Sequence, residues 1–473
     1  MFPKGPVEFN SPEGIALIKH AIRGAGERGL EVVLYNGAGW SSSGGPWITP
    51  EYAMQELTWS EARVRGGKKM ELELPRPPVI ETYRPEFFGP DETLDWYRDV
   101  AVLAFPTPSA EQPRPGQPEL TSNDPDFDPS KHGHSSPYVF SRLKTSAEKA
   151  GEIVLEYPEP FTARSVRLDV HRSCTPTIRE GVLFASGDGE SWREVRSVPM
   201  GDRMPVQAPF APETARFWKL RFPMNRGSGE VRLTGLAVQP GYRIEDWSAK
   251  AMFDNHGLDD PAPPFSSPAP EEDAVIPVNE VIDLSDRMDA EGRLSWDAPR
   301  GDWTILRFGR TPTGALNSNP AYGGSGLDCD KHRAEAVDFQ WRHALSPYFD
   351  DPDIAPHIDG VHIDSWEVGA QNWSKGFGDA FEQRTGYDLR RLLPAMTGRV
   401  VGDLEISERF LGDVRRVVTG LIADEYFAHT RDRAAEAGAL FSNEPYHQNQ
   451  FDSSDVGMRV DVPMCEVWRG DRV

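Results

Sequence analysis

The run LEVVLYN, Leu30 to Asn36, restricts the fold more than any other part of the chain. It is a nearly unbroken apolar, β-rich stretch, the pattern of a strand covered on both faces in a parallel sheet. A helix precedes it. Ser11, Pro12 and Glu13 read as N-cap, first helical residue and dipole-favoured acid, and Leu17, Ile18, Ala21 and Ile22 then recur at helical spacing. A glycine-rich loop follows the run, Gly37 to Trp47 (GAGWSSSGGPW), and Thr49, Pro50 and Glu51 read as another N-cap with proline at the first helical position. Strand, loop and helix are thus predicted in βα order.

From about Ser60 the texture changes to short alternating strands between Gly, Pro and Asp turns, with segments at Glu152–Glu156, Ser165–Val170, Gly181–Ala185, Arg193–Val198, Arg216–Phe222 and Glu230–Val238. This predicts an inserted all-β sandwich over 60–243, with an irregular stretch at about Thr107–Pro137. Helical alternation resumes near Lys331. Counting Leu30–Asn36, Trp303–Phe308, Val361–Trp366, Ala439–Asn443 and Val462–Trp468 gives five strands of an α/β fold of (β/α)8-barrel type, and a closed barrel has eight. The expectation is an incomplete barrel, built from residues 1–59 and 244–473, with one strand lying before residue 1 and two after residue 473.

Charge narrows the partners. With 51 basic and 74 acidic residues the net charge is −23, a field that repels phosphate backbones and anionic headgroups, so neither nucleic acid nor membrane is an expected partner. The sequence has no run of about 18 apolar residues. Met1 to Pro6 carries one Lys and no apolar stretch of secretory-signal type. Cys174, Cys329 and Cys465 lie too far apart for a CxxC motif and read as structural thiols.

Barrel active sites lie at the C-terminal ends of the strands. Three glutamates stand there: Glu367 ends VHIDSWE, Glu444 ends LFSNE, and Glu466 lies in VPMCEVW. A carboxylate in such an apolar setting must be hydrogen-bonded, ion-paired, metal-bound or protonated, and that environment tunes it for acid–base chemistry. Each could instead be a salt-bridged rim residue; three together point to a glycosidase. Asn36, Trp40 and Trp47 of the glycine-rich segment suit a sugar's apolar face and hydroxyls, or the loop is simply a tight connection. The loop Thr311–Lys331 carries Asn317, Asn319, Asp328 and Asp330, oxygen donors for sugar hydroxyls or calcium, or caps for the next helix. His447, Asp364 and Asn443 are further candidate ligand contacts, with strand-end hydrogen bonding as the plainer role for the last two.

The ordered set NGAGWSSSGGPWITPE with MQEL, TGALNSNPAYGGSGLDCDK, IDSWE, SNEPY and CEVW resembles glycoside hydrolase family 106, the α-L-rhamnosidases. The resemblance covers roughly residues 1–59 and 245–473. It implies a β/α barrel with inserted β-domains, removal of terminal α-L-rhamnose from a glycan or glycoside with inversion, and a calcium ion near the sugar hydroxyls. By position, Glu367 looks like the general acid, Glu466 like the general base, and Glu444 like a metal or sugar ligand. Separately, Ser186, Asp188, Gly189 and Trp192 form S-x-D-G-x-x-W, which resembles the galactose-binding-like sandwich. Two other classes stay open: a non-catalytic carbohydrate-binding protein, and a retaining glycosidase of other sugar specificity.

Overall fold

The computed structural model describes residues 7–40, 43–79, 95–111, 113–132, 139–146, 148–170, 180–199, 205–223, 229–253, 267–446 and 450–465. Its centre is a four-stranded parallel sheet in the order Val33–Tyr35, Gly360–Ile363, Leu440–Asn443, Val462–Pro463. These are four of the five strands expected of a barrel. Helices lie between them in the chain: Ala334–Ala344, Phe377–Thr385 and Leu404–Leu421, the last continuing through a π-helical turn, Ile422–Ala428, into His429–Glu436. Local chemistry sets their starts. Ser11 Oγ accepts from Gly14 N at 3.1 Å ahead of the Pro12–Gly26 helix, and Asp403 accepts from Ile406 N at 2.6 Å ahead of Leu404.

The two faces of the parallel sheet differ. Val361, Ile363 and Phe441 are buried in the main core with Val337, Trp341, Val414 and Phe427 from the helices. The opposite face leaves Val33 53% and Leu440 58% exposed, on either side of Gly360 in one register row. The sheet is open among the described residues, and no closed barrel is present there.

The fifth expected strand belongs elsewhere. Trp303–Phe308 lies within Asp302–Pro312, which pairs antiparallel with both Gln55–Arg65 and Arg98–Pro106. Its apolar run misled because both faces are covered. Leu306 and Phe308 enter the main core, while Trp303 and Ile305 enter a second one with Val102, Ala104 and Trp296. A strand buried on two faces reads the same in either kind of sheet. Two smaller corrections follow. Thr49–Glu51 opens a turn, with Tyr52 N bonded to Thr49 O at 2.9 Å, and Gln55–Arg65 runs across the boundary expected at residue 60.

Between residues 119 and 239 seven antiparallel strands form one sheet with its own core, around Tyr157, Trp218, Leu220 and Phe222. Glu119–Ser122, inside the stretch expected to be irregular, pairs with Gly151–Val170. The chain enters and leaves this unit past a buried charge cluster. Glu111 meets Arg243 at 2.6 Å and Arg399 at 3.1 Å, and Arg399 also meets Glu61 at 2.6 Å. Burial acts to raise the Glu111 carboxyl, but the two guanidiniums win and hold it at about 2.

Candidate active site

The parallel register brings the strand ends together. Tyr35 aligns with His362, and Ile363 with Asn443, so that Asp364 and Glu444 leave adjacent strands side by side. Glu444 hydrogen-bonds the Asp364 carboxyl across this edge. A tyrosine flanks each one. Tyr35 Oη hydrogen-bonds Asp364 Oδ2 and lies 2.5 Å from the Trp40 carbonyl, while Tyr446 Oη donates to Glu444 Oε2 at 2.7 Å.

Electrostatics follow from this chain of oxygens. Burial acts to raise the Asp364 carboxyl, but hydrogen bonds from Glu444, Tyr35 and the Ser365 backbone outweigh it, and the group titrates below its ordinary value. Burial, then the hydrogen bond to Asp364 and its charge, pushes the Tyr35 phenol far above the usual tyrosine range. Tyr35 therefore stays a neutral donor. Burial also lowers His362, whose Nδ1 lies 2.8 Å from Ser442 Oγ.

Glu367 is half-buried, with Ser365 Oγ donating to its Oε1 at 3.2 Å. Between Asp364 and Glu367 the Trp366 ring is buried, its indole donating to Gly369 O at 2.7 Å. Trp366 N bonds Tyr446 O at 3.3 Å, tying the Glu367 and Glu444 segments together. Glu466 and His447 lie outside the described residues.

The two loops zip against each other through backbone. Trp40 N bonds Ser318 O at 3.2 Å, Ala321 N bonds Ala38 O at 3.0 Å, and Cys329 N bonds Ser43 O at 2.7 Å. Glycine permits the approach: a Cβ on Gly39 would lie 2.1 Å from Ser318 O. This pairing sets Trp40, 38% exposed, near Asn319, which is exposed at φ 46°. Trp47 is engaged elsewhere, donating to Gln340 Oε1 at 2.8 Å and stacking on His343.

The remaining candidates divide. Asn36 Nδ2 donates to Ser43 Oγ at 2.7 Å and Asn443 Nδ2 to Ile363 O at 2.9 Å; both Oδ1 atoms are buried without a hydrogen-bond partner among the described residues. Asn317 staples its own loop through Gly324 O and Gly326 N. Asp328 pairs with Lys331 and Asp330 with Arg333, and Arg333 takes the N-cap position that either aspartate could have filled. Among the described residues no three His, Cys, Asp or Glu side chains are grouped to hold a metal ion.

Sequence reasoning missed Tyr35, Ser43, Tyr426 and Tyr446. Tyr35 was hidden inside its apolar strand, and Tyr446 two residues past Glu444 was legible only as spacing. Tyr426 had no signal, because the π-helical turn at Ile422–Ala428 sets the phase that carries its Oη to within 2.5 Å of Ser43 Oγ.

We expect Gly39→Ala to destabilise by about 1–3 kcal/mol, since the methyl meets backbone that cannot rotate away. KM for a sugar substrate should rise with it, as Trp40 shifts. Gly378→Ala, in the Phe377–Thr385 helix with no atom within 4 Å of its Cβ, should instead be neutral or stabilising. Thermal denaturation of the two variants checks both; equal melting temperatures would show that the loop pairing is not tight.

Carboxyl groups clustered at the C-terminal edge of a parallel sheet, with an exposed Trp beside them, are an arrangement that glycoside hydrolases use. The chain belongs to the family of α-L-rhamnosidases, glycoside hydrolase family 106, which it matches over residues 2–473. A solved rhamnosidase from Novosphingobium sp. PP1Y superposes with a TM-score of 0.81 at 26% identity, covering 100% of this chain and 44% of that one. A Formosa agariphila protein described as a putative beta-glucuronidase is 31% identical over 471 residues, which is 99% of this chain and 28% of that protein. The chain thus spans less than half the length of either relative.

Proposed function

We propose that the protein removes terminal α-L-rhamnose from glycans or glycosides by an inverting two-carboxylate mechanism. One observation carries the reading: the hydrogen-bonded pair Asp364 and Glu444, with Glu367 three residues on, at the carboxyl edge of a parallel sheet in a chain of this family. The sheet's exposed Val33 and Leu440 face would be the interior of a (β/α)8-type barrel.

In this mechanism Glu367 protonates the departing glycosidic oxygen. Glu466 takes a proton from the water that attacks the opposite face of the sugar, the two carboxyls standing about 6.5–9.5 Å apart to admit that water. Glu444 holds the sugar, with Tyr446 fixing its carboxylate and Tyr35 fixing Asp364. Asn36, Asn319, Asn443 and His447 supply hydroxyl contacts, and Trp40 the apolar platform; Trp47 supports the loop from behind. Calcium takes oxygen ligands, and Glu444, Asp364 and the Asn443 Oδ1, which has no hydrogen-bond partner among the described residues, offer that donor chemistry. Bound there, the ion would orient sugar hydroxyls.

The seven-stranded unit serves as a galactose-binding-like structural module in this reading. Asp188 Oδ1 closes its S-x-D-G-x-x-W turn by accepting from Glu190 N and Ser191 N at 2.9 and 2.8 Å, and Trp192 packs under Lys219.

The test is hydrolysis of an aryl α-L-rhamnoside by this chain and by one extended at both ends, with NMR identifying the anomer first released. The β-anomer of L-rhamnose is expected. Release of the α-anomer would favour a retaining enzyme. Because one relative is described as a beta-glucuronidase, an aryl β-D-glucuronide is assayed beside it. Hydrolysis of the glucuronide alone would replace the sugar assignment, and turnover of neither would favour a carbohydrate-binding protein.

A further inference from the structure

Lys331 is fully buried, an unusual place for an ammonium. Its Nζ is ion-paired with Asp328 Oδ1 and donates to Cys329 O at 2.8 Å. The charge also lies 5.1 Å from the Trp366 ring centroid and 5.3 Å from that of Tyr426. A methionine would fill the same space without the desolvation cost, and a buried ion pair is weak grounds for stability. What the cation touches suggests what it does.

Three pieces of the candidate site meet at this one group. Trp366 separates Asp364 from Glu367 in the chain. Tyr426 Oη lies 2.5 Å from Ser43 Oγ, which accepts from Asn36 Nδ2 at 2.7 Å. Asp328 belongs to the loop zipped onto Ser43 and Gly45, with Met54 N on its carbonyl at 2.9 Å. An ammonium over two aromatic rings fixes both by cation–π attraction, which strengthens where water is excluded.

We propose that Lys331 is a positioning residue for the glycosidase site, locking the Trp366 ring and through it the placement of Glu367 relative to Asp364 and Glu444. The assignment rests on the reading of Glu367 given above. Lys331 touches no substrate.

Lys331→Met alone would strand the Asp328 carboxylate and could fail for that reason. The decisive protein is the double variant Lys331→Met with Asp328→Leu, which removes both charges and should fold with a melting temperature at or above that of the parent. Its kcat on an aryl α-L-rhamnoside should fall about 100-fold with little change in KM, as expected for a displaced catalytic group. A second readout needs no turnover. The near-UV circular dichroism band assigned to Trp366, obtained by subtracting the spectrum of Trp366→Phe, should be strong in the parent and lost in the double variant. A folded double variant that keeps both the parental kcat and the Trp366 band overturns the proposal. If neither the parent nor the chain extended at both ends hydrolyses the rhamnoside, the rhamnosidase reading fails, and the Trp366 band alone decides whether Lys331 holds the ring.

Discussion

Glu367→Gln should lower kcat about 10³-fold on an alkyl α-L-rhamnoside and far less on a dinitrophenyl one. The difference comes from the leaving group. An alkoxide must be protonated as it departs, whereas dinitrophenolate leaves without help, so removing a general acid is felt only with the former. Glutamine keeps the size of the side chain and can still accept from Ser365 Oγ, so the fold around Trp366 should survive. Equal losses on both substrates would assign Glu367 to binding or to the base role. A loss below about tenfold on the alkyl glycoside would remove it from the reaction.

How much of this was legible beforehand depends on what each residue answers to. The strands at Leu30–Asn36, Val361–Trp366 and Ala439–Asn443 were readable as apolar β-rich runs, although the double coverage such runs imply is absent among the described residues, where Val33 and Leu440 lie exposed on one face; the family was readable from five ordered motifs. Trp303–Phe308 is such a run too and was misplaced by it. Pairing partners are a long-range choice, here with Gln55–Arg65 about 250 residues away, that local pattern does not encode.

Within the site the readable part was chemistry, and the unreadable part was geometry. Glu444 was visible as a carboxylate at a strand end, but not its hydrogen bond to Asp364, which register creates. The aspartates at 328 and 330 could have bound a sugar, an ion or a helix start. Cations three residues on, Lys331 and Arg333, took them instead. Trp40 and Trp47 looked equivalent in sequence. Only the stacking of Trp47 on His343 and its bond to Gln340 separate a supporting ring from an exposed one.

His332 should make the fold sensitive to acid, and His332→Leu should remove that sensitivity. Its imidazole is buried against Phe377, with neither ring nitrogen hydrogen-bonded among the described residues. Burial, followed by the charges of Lys331 and Arg384, pushes it down to about 3 from an ordinary 6.5. Above 6.5 the ring is neutral whether the chain is folded or not, and proton binding does not discriminate. Below it the unfolded chain takes a proton that the folded one refuses, so stability falls by about 1.4 kcal/mol per pH unit, up to about 5 kcal/mol near pH 3. Between about pH 7.5 and about pH 5 the parent should therefore lose about 2 kcal/mol that the leucine variant keeps. At neutral pH the variant should match or exceed the parent, because two buried nitrogens no longer lack partners. Urea titrations of both proteins at the two pH values measure the difference directly, other titrating groups being common to both. Parallel losses in the two proteins would mean that His332 titrates normally in the fold, through water or a partner that reaches its ring.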